Sequence, residues 1–217
     1  KNFALDLRYN KDYYFADCQT IGAVTIQIKN LQYISPYLFY GSSITSLTIT
    51  KDVSPELIIK EGAFAFCNSL TSVTFPTFDP QPTIVNGIRI NAGAFFKCVA
   101  LSSVNIIEPI TIIGPSSFEG CLALNPTFNT RSSVRLYIYS YAFYKCNQKE
   151  SATLTLPAKN VISIGHHAFE DCKFSIKEVH ATAIGDFAFS GCTFTNLKVD
   201  CGEIGNSAFK GTGSLSS

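Results

Sequence analysis

One nine-residue pattern constrains this chain more than any other feature. Ile164-Gly165-His166-His167-Ala168-Phe169-Glu170-Asp171-Cys172 reads as I-G-x-x-A-F-x-x-C, and the chain keeps returning to it. Ile184-Gly185 leads to Ala188-Phe189 and Cys192, and Ile204-Gly205 leads to Ala208-Phe209. Looser copies carry Phe15 with Cys18, Phe39, Phe64 with Cys67, Phe95 with Cys98, Phe118 with Cys121, and Phe143 with Cys146. Successive Phe residues lie 20 to 31 positions apart, a period that belongs to stacked-coil solenoids. No single coil of this length can bury its Phe alone; neighbours above and below must do it.

Each copy has a second half. Val24-Thr25-Ile26, Leu47-Thr48-Ile49, Val73-Thr74-Phe75, Leu154-Thr155-Leu156 and Leu197-Lys198-Val199 alternate apolar and polar residues, the pattern of a half-buried strand. A shorter apolar run ends at the Ile of I-G, as in Leu136-Tyr137-Ile138. Gly is then expected to permit a tight bend. The i, i+3 spacing of Phe and Cys predicts one turn of helix or 3-10 helix with both side chains inward. The expected fold is a β-rich solenoid with short strands and one helical or 3-10 turn per repeat. It forms a single domain over 1–217 of about nine coils, with a cap and partial repeat over 1–33 and repeats over 34–217. Insertions at 76–82, 129–133 and 147–150 should leave the stack as loops, where binding residues concentrate. The array halts mid-repeat after Phe209, so the expectation is either a piece of a longer array or a fold-over of Leu215 and its neighbours onto the last coil.

Charge and chemistry narrow the function classes. With 17 basic and 16 acidic side chains, nothing favours nucleic acid or an anionic membrane. No run of 18 apolar residues is present, so no transmembrane segment is expected in this chain. Seven of the 8 Cys sit three residues after a repeat Phe. Their regular placement reads as a ladder of reduced, buried thiols, and Cys201, outside that ladder, as the best candidate for an exposed one. Adjacent His166 and His167 cannot share one helical face, and no C-x-x-C, phosphate loop, G-x-S-x-G or H-E-x-x-H occurs. No catalytic residue, metal site or cofactor is therefore assigned.

The two-part repeat, L-x-x-V-x-I-P followed by I-G-x-x-A-F-x-x-C, resembles the BspA-like leucine-rich repeats, strongly over 34–209 and weakly over 1–33. Ser35, Lys60, Asn91 and Tyr139 depart from the pattern at its Gly, and Ser42 at its Cys. The resemblance implies a right-handed solenoid and an adhesive or ligand-binding role at a cell surface or after secretion. It brings no catalytic residues.

Within that frame the outward strand residues form a row: Thr25, Thr48, Thr74, Asn105, Thr155, Glu178 and Lys198. The row and the insert loops, with Phe78 as a rim aromatic, are the expected binding face for a macromolecular partner, an extracellular protein or glycan. Thr is equally an ordinary exposed strand residue. Tyr137 and Tyr139, flanking inward Ile138, are the second candidate, because Tyr is favoured at interfaces. A homo-oligomeric assembly module and a small-ligand or glycan binder are the alternatives.

Overall fold

Apolar alternation gives each coil two strands, and stacking aligns them into two parallel sheets. The computed structural model describes residues 2–7, 11–28, 32–51, 56–76, 87–106, 110–128, 135–148, 153–156 and 161–212. The first sheet runs in chain order through β1 (Asn2–Leu7), β2 (Gly22–Ile28), β4 (Ile44–Lys51), β6 (Ser72–Thr74), β8 (Ser103–Ile106) and β10 (Thr127–Phe128). The second contains β3 (Tyr33–Ile34), β5 (Leu57–Ile59), β7 (Ile88–Ile90), β9 (Ile110–Ile113), β11 (Leu136–Ile138) and β13 (Val161–Ile164). Val24, Ile26, Leu47, Ile49, Val73 and Val104 point inward from the first sheet. Ile34, Ile59, Ile90, Ile113, Ile138 and Ile164 face them from the second.

Where the spacing falls to 20 residues, no chain remains for a corner between the two strands. One long strand then runs through both strand positions of the coil, and it belongs to the second sheet. The start of β14 (Ser175–Ile184) pairs with β12 (Thr153–Leu154), and its end pairs with β13. β15 (Thr193–Ile204) follows β14 along its length, with a register irregularity between Ile176 and Glu178.

The expected helical or 3-10 turn is not there: no helix of either kind occurs among the described residues. The A-F-x-x-C segment is instead a pair of tight turns with two left-handed residues, one two positions before the Phe and one two positions after. Around Phe64 they are Gly62 (φ 59°) and Phe66 (φ 60°); around Phe169, His167 (φ 57°) and Asp171 (φ 58°). Each left-handed residue reverses the direction of its amide relative to a helix. Alternate N–H groups then bond inside the turn, as from Cys67 to the Phe64 carbonyl (3.2 Å). The others reach the next coil, as from Phe64 to the Ala94 carbonyl (2.8 Å) and from Gly62 to the Ala92 carbonyl (3.1 Å). A helix would satisfy its own amides and leave the coils unjoined; these turns extend the inter-coil ladder around the corner.

The Gly of I-G also has another role than expected. None of Gly114, Gly165, Gly185 and Gly205 has a left-handed φ. A Cβ on any of them would stand 2.5–2.7 Å from backbone atoms of the preceding coil. Gly is required here by close approach rather than by bending.

The nine repeat Phe rings form one column. From Phe15 through Phe39, Phe64, Phe95, Phe118, Phe143, Phe169 and Phe189 to Phe209, neighbouring centroids lie 5.0–5.5 Å apart with planes within 13° of parallel. Beside it, each ladder thiol from Cys67 to Cys192 donates to the carbonyl of the Phe one coil earlier. Cys67 reaches Phe39 at 3.0 Å, Cys146 reaches Phe118 at 2.8 Å and Cys192 reaches Phe169 at 2.9 Å. The Phe carbonyl thus accepts both its own turn's amide and the next coil's S–H. Ser42 fills the Cys position of its coil, buried against the Cys67 sulfur at 3.6 Å.

Candidate binding surfaces

The first-sheet row is a true register row for its first four members. Thr25 pairs with Thr48, Thr48 with Thr74, and Thr74 with Asn105. Thr127, which sequence reading missed, continues it beyond Asn105. Thr25 and Thr74 are exposed, and Thr48 is half-buried. The remaining members lie elsewhere. Thr155 falls just past β12, while Glu178 and Lys198 pair across β14 and β15 with their charged ends 4.0 Å apart. At one corner of the face, hydroxyls are already committed to carbonyls of the preceding coil: Thr71 to Thr45 at 2.9 Å, and Ser102 to Thr71 at 3.1 Å. Phe78 and the insertions at 77–82, 129–133 and 149–150 lie outside the described residues.

Tyr137 and Tyr139 differ in exposure and in place. Tyr137 is half-buried on the outer face of the second sheet, in register with Ile112 on one side and Ser163 on the other. Tyr139 is exposed and belongs to the corner where the tight turns begin.

That corner carries a feature not recognised in the sequence. The left-handed residue before each Phe forms an outer column, held in register by its amide bonding to the next coil. Tyr13 and Tyr37 stack there, centroids 4.8 Å apart. Farther along, Tyr141, His167 and Phe187 stack at 4.7 and 5.2 Å, planes 7° and 3° from parallel. Between these two stacks the column carries Gly62, Gly93 and Ser116 and holds no ring. A shallow cavity of about 270 Å³ occupies this interval, walled by Tyr37, Tyr40, Phe66 and Phe96 above a floor that includes Ala65 and Gly93. A second, of about 210 Å³, adjoins it and shares Glu61, Ala92 and Pro115, adding Asn91 and Tyr139. Glu61 accepts the Tyr37 hydroxyl and pushes that phenol's pKa up. On the aromatic wall, the Lys97 ammonium lies 5.1 Å from the Phe96 ring centre and 5.8 Å from that of Phe66.

His166 and His167 are engaged within the turns. His166 Nδ1 accepts the Asp186 amide at 3.0 Å, and the Asp186 carboxylate accepts the Asn206 amide at 2.7 Å. His167 lies within the outer ring stack, its Nδ1 2.6 Å from Glu170. Among the described residues, no three His, Cys, Asp or Glu side chains gather as a metal site. The thiols are free, and burial pushes Cys98, Cys146 and Cys172 far up and Cys192 up to about 12. A thiol so held is not a nucleophile. Cys201 is half-buried and packs against the core, and Cys18 is half-buried too, so Cys201 is not uniquely accessible.

These surfaces sit on a frame that matches a known repeat. The family model of the BspA type leucine rich repeat region, present in 6 copies, matches residues 2–125, 80–182 and 136–217. The chain belongs to this family. BspA-type repeats are scaffold and adhesion modules. No curated protein and no solved structure matches it. No helix among the described residues is long and apolar enough to cross a membrane.

Proposed function

We propose that this BspA-type chain is one leucine-rich repeat domain over 1–217, displayed on a cell surface or secreted, that binds an extracellular protein or glycan by adhesion. The observation that supports a strand-face site is the register of Thr25, Thr48, Thr74 and Asn105 across four adjacent strands. Short Thr side chains on a parallel sheet offer hydroxyls at low side-chain entropy cost and let a large partner lie close to the backbone. Few charges take part, so affinity should depend weakly on salt.

A pull-down against extracellular matrix proteins, plasma proteins and immobilised glycans identifies the partner. Titration of Thr74→Arg, Asn105→Arg, Phe78→Ser and Tyr137→Ser then locates it, after unchanged melts are confirmed. The strand-face reading expects the two Arg variants to bind at least tenfold more weakly, and the Phe78 variant to lose part of the affinity. Wild-type binding by both Arg variants, with loss on Tyr137→Ser, moves the site to the second sheet.

A second reading, a homo-oligomeric assembly module, rests on β15. β15 exposes the apolar side chains of Val199 and Ile204, and exposed apolar side chains grouped on one strand favour association with a second copy. Light scattering over a wide concentration range separates the readings: a monomer throughout removes this one.

A further inference from the structure

We propose that the interval in the outer ring column is a saccharide subsite, taking a neutral pyranose unit between Tyr37 and the Asn91–Tyr139 edge. This surface lies at the turn corner, and the argument for it is independent of the strand-face reading.

The column itself states what the space accommodates. Wherever it carries side chains with rings, they lie flat and nearly parallel at 4.7–5.2 Å. At Gly62, Gly93 and Ser116 the backbone keeps the same left-handed turn (φ 59°, 59° and 52°) and the same inter-coil amide bonds, but no ring is supplied. Tyr37 leans over Gly62, where any Cβ would run into its ring. Above Gly93 the space is open, a Cβ there meeting only Phe96 Cβ at 3.7 Å. The opening thus starts beside a fixed ring and is one flat group or more in extent.

The lining then selects among flat groups. One part is almost wholly apolar, built from the faces and edges of Tyr37, Phe66 and Phe96. The adjoining part is more polar, with Glu61, Asn91 and Tyr139 in its lining. With the Glu61 carboxylate at the junction and the Lys97 ammonium on the Phe66 and Phe96 wall, the slot presents no single sign of charge and favours a neutral occupant over a phosphate or a uronic acid. A plain aromatic ring would stack, but would make no use of the polar edge at Glu61 and Asn91 and gain no specificity from it. A pyranose meets both demands. Its C–H face packs on an aromatic ring, and its rim hydroxyls donate to the carboxylate while donating to and accepting from amide and phenol. The two adjoining cavities, about 270 and 210 Å³, suit one or two units of a longer glycan rather than a large buried ligand.

The test uses the intact chain with cello-, chito-, malto- and manno-hexasaccharides, and phenol as a purely aromatic probe. Binding is read by saturation-transfer NMR and by titration of intrinsic tyrosine fluorescence. Ser116→Tyr is the key variant. It supplies the missing ring at a left-handed position where Tyr37 and Tyr141 already show that Tyr is tolerated, so the fold should hold and the slot should close. Phe96→Ala removes the wall and Glu61→Gln the carboxylate; Thr74→Arg is the strand-face control. The expected result is binding of at least one hexasaccharide, weakened tenfold or more by Ser116→Tyr and by Phe96→Ala and unchanged by Thr74→Arg. The proposal is overturned if no hexasaccharide binds, whether or not phenol does, or if saccharide binding survives Ser116→Tyr unaltered. Loss of saccharide binding on Thr74→Arg alone would also overturn it, placing the glycan on the strand face instead.

Discussion

Two columns of side chains run the length of the solenoid only two residues apart in each coil, and they obey different rules. The inner column holds Phe at every one of nine rungs. The outer column holds Tyr, Tyr, Gly, Gly, Ser, Tyr, His, Phe and Ser in turn. Both sit on the same turns, and both stack rings at about 5 Å where rings occur. The difference is what replaces a missing ring. Inside, it is a void lined by atoms that lose their contacts. Outside, it is water, at little cost. The inner column is therefore fixed by packing, whereas the outer one is free to vary and can be shaped for recognition.

The strongest way to break this comparison is to remove a ring from the middle of the inner column. Phe118 is fully buried between Phe95 and Phe143, so Phe118→Ala should cost about 3–5 kcal/mol through the cavity it leaves. Phe209, stacked on Phe189 and only partly buried, should cost clearly less on the same change. Denaturant melts check both, and equal losses would mean that the ring column is not a cooperative core.

Next in size is the close approach of coils. Gly165→Ala places a Cβ about 2.5 Å from Ser140 N, and backbone cannot move aside cheaply. A loss of about 1–3 kcal/mol is expected, read from the same melts. A neutral Gly165→Ala would show that coil spacing is softer than the ring column requires.

The thiol ladder sharpens the comparison through pH. Burial raises the Cys192 thiol from its ordinary 9.0 to about 12, so the folded state keeps a proton that the unfolded chain loses. Stability should be full below about pH 9 and fall as pH rises toward about 12. Urea midpoints measured across that range should decline in the wild type, and less steeply in Cys192→Ala at matched starting stability. Native alkylation followed by mass spectrometry should label only the half-exposed Cys18 and Cys201. Labelling of the ladder thiols in the folded state would contradict their burial.

How much of this was legible in the sequence follows the same division. The Phe and Cys columns and the alternating strands could be read because packing repeats them at fixed offsets. The turn between them was misread, since an i, i+3 spacing serves a helical turn and a paired tight turn alike. The signal that separates the two was present at Gly62, Gly93, Gly120 and Gly191, two residues from a repeat Phe, where only a left-handed φ asks for Gly. The Thr row was legible as far as Asn105, where regular coils hold the register. It failed at Thr155, because the 20-residue coils merge two strands into one and shift the pairing. The outer column was not legible at all: an exposed position that accepts Tyr, Gly, Ser, His and Phe has no pattern until the turns bring its members into line.

The claim that the turns send one column in and the other out is tested most directly within a single coil. Phe143 and Tyr141 are two residues apart; Phe143 is fully buried and Tyr141 exposed against His167. Denaturant melts of Phe143→Ala and Tyr141→Ala should give losses of about 3–5 kcal/mol for the first and no more than about 0.5–1.5 kcal/mol for the second. Comparable losses at the two positions would contradict the account.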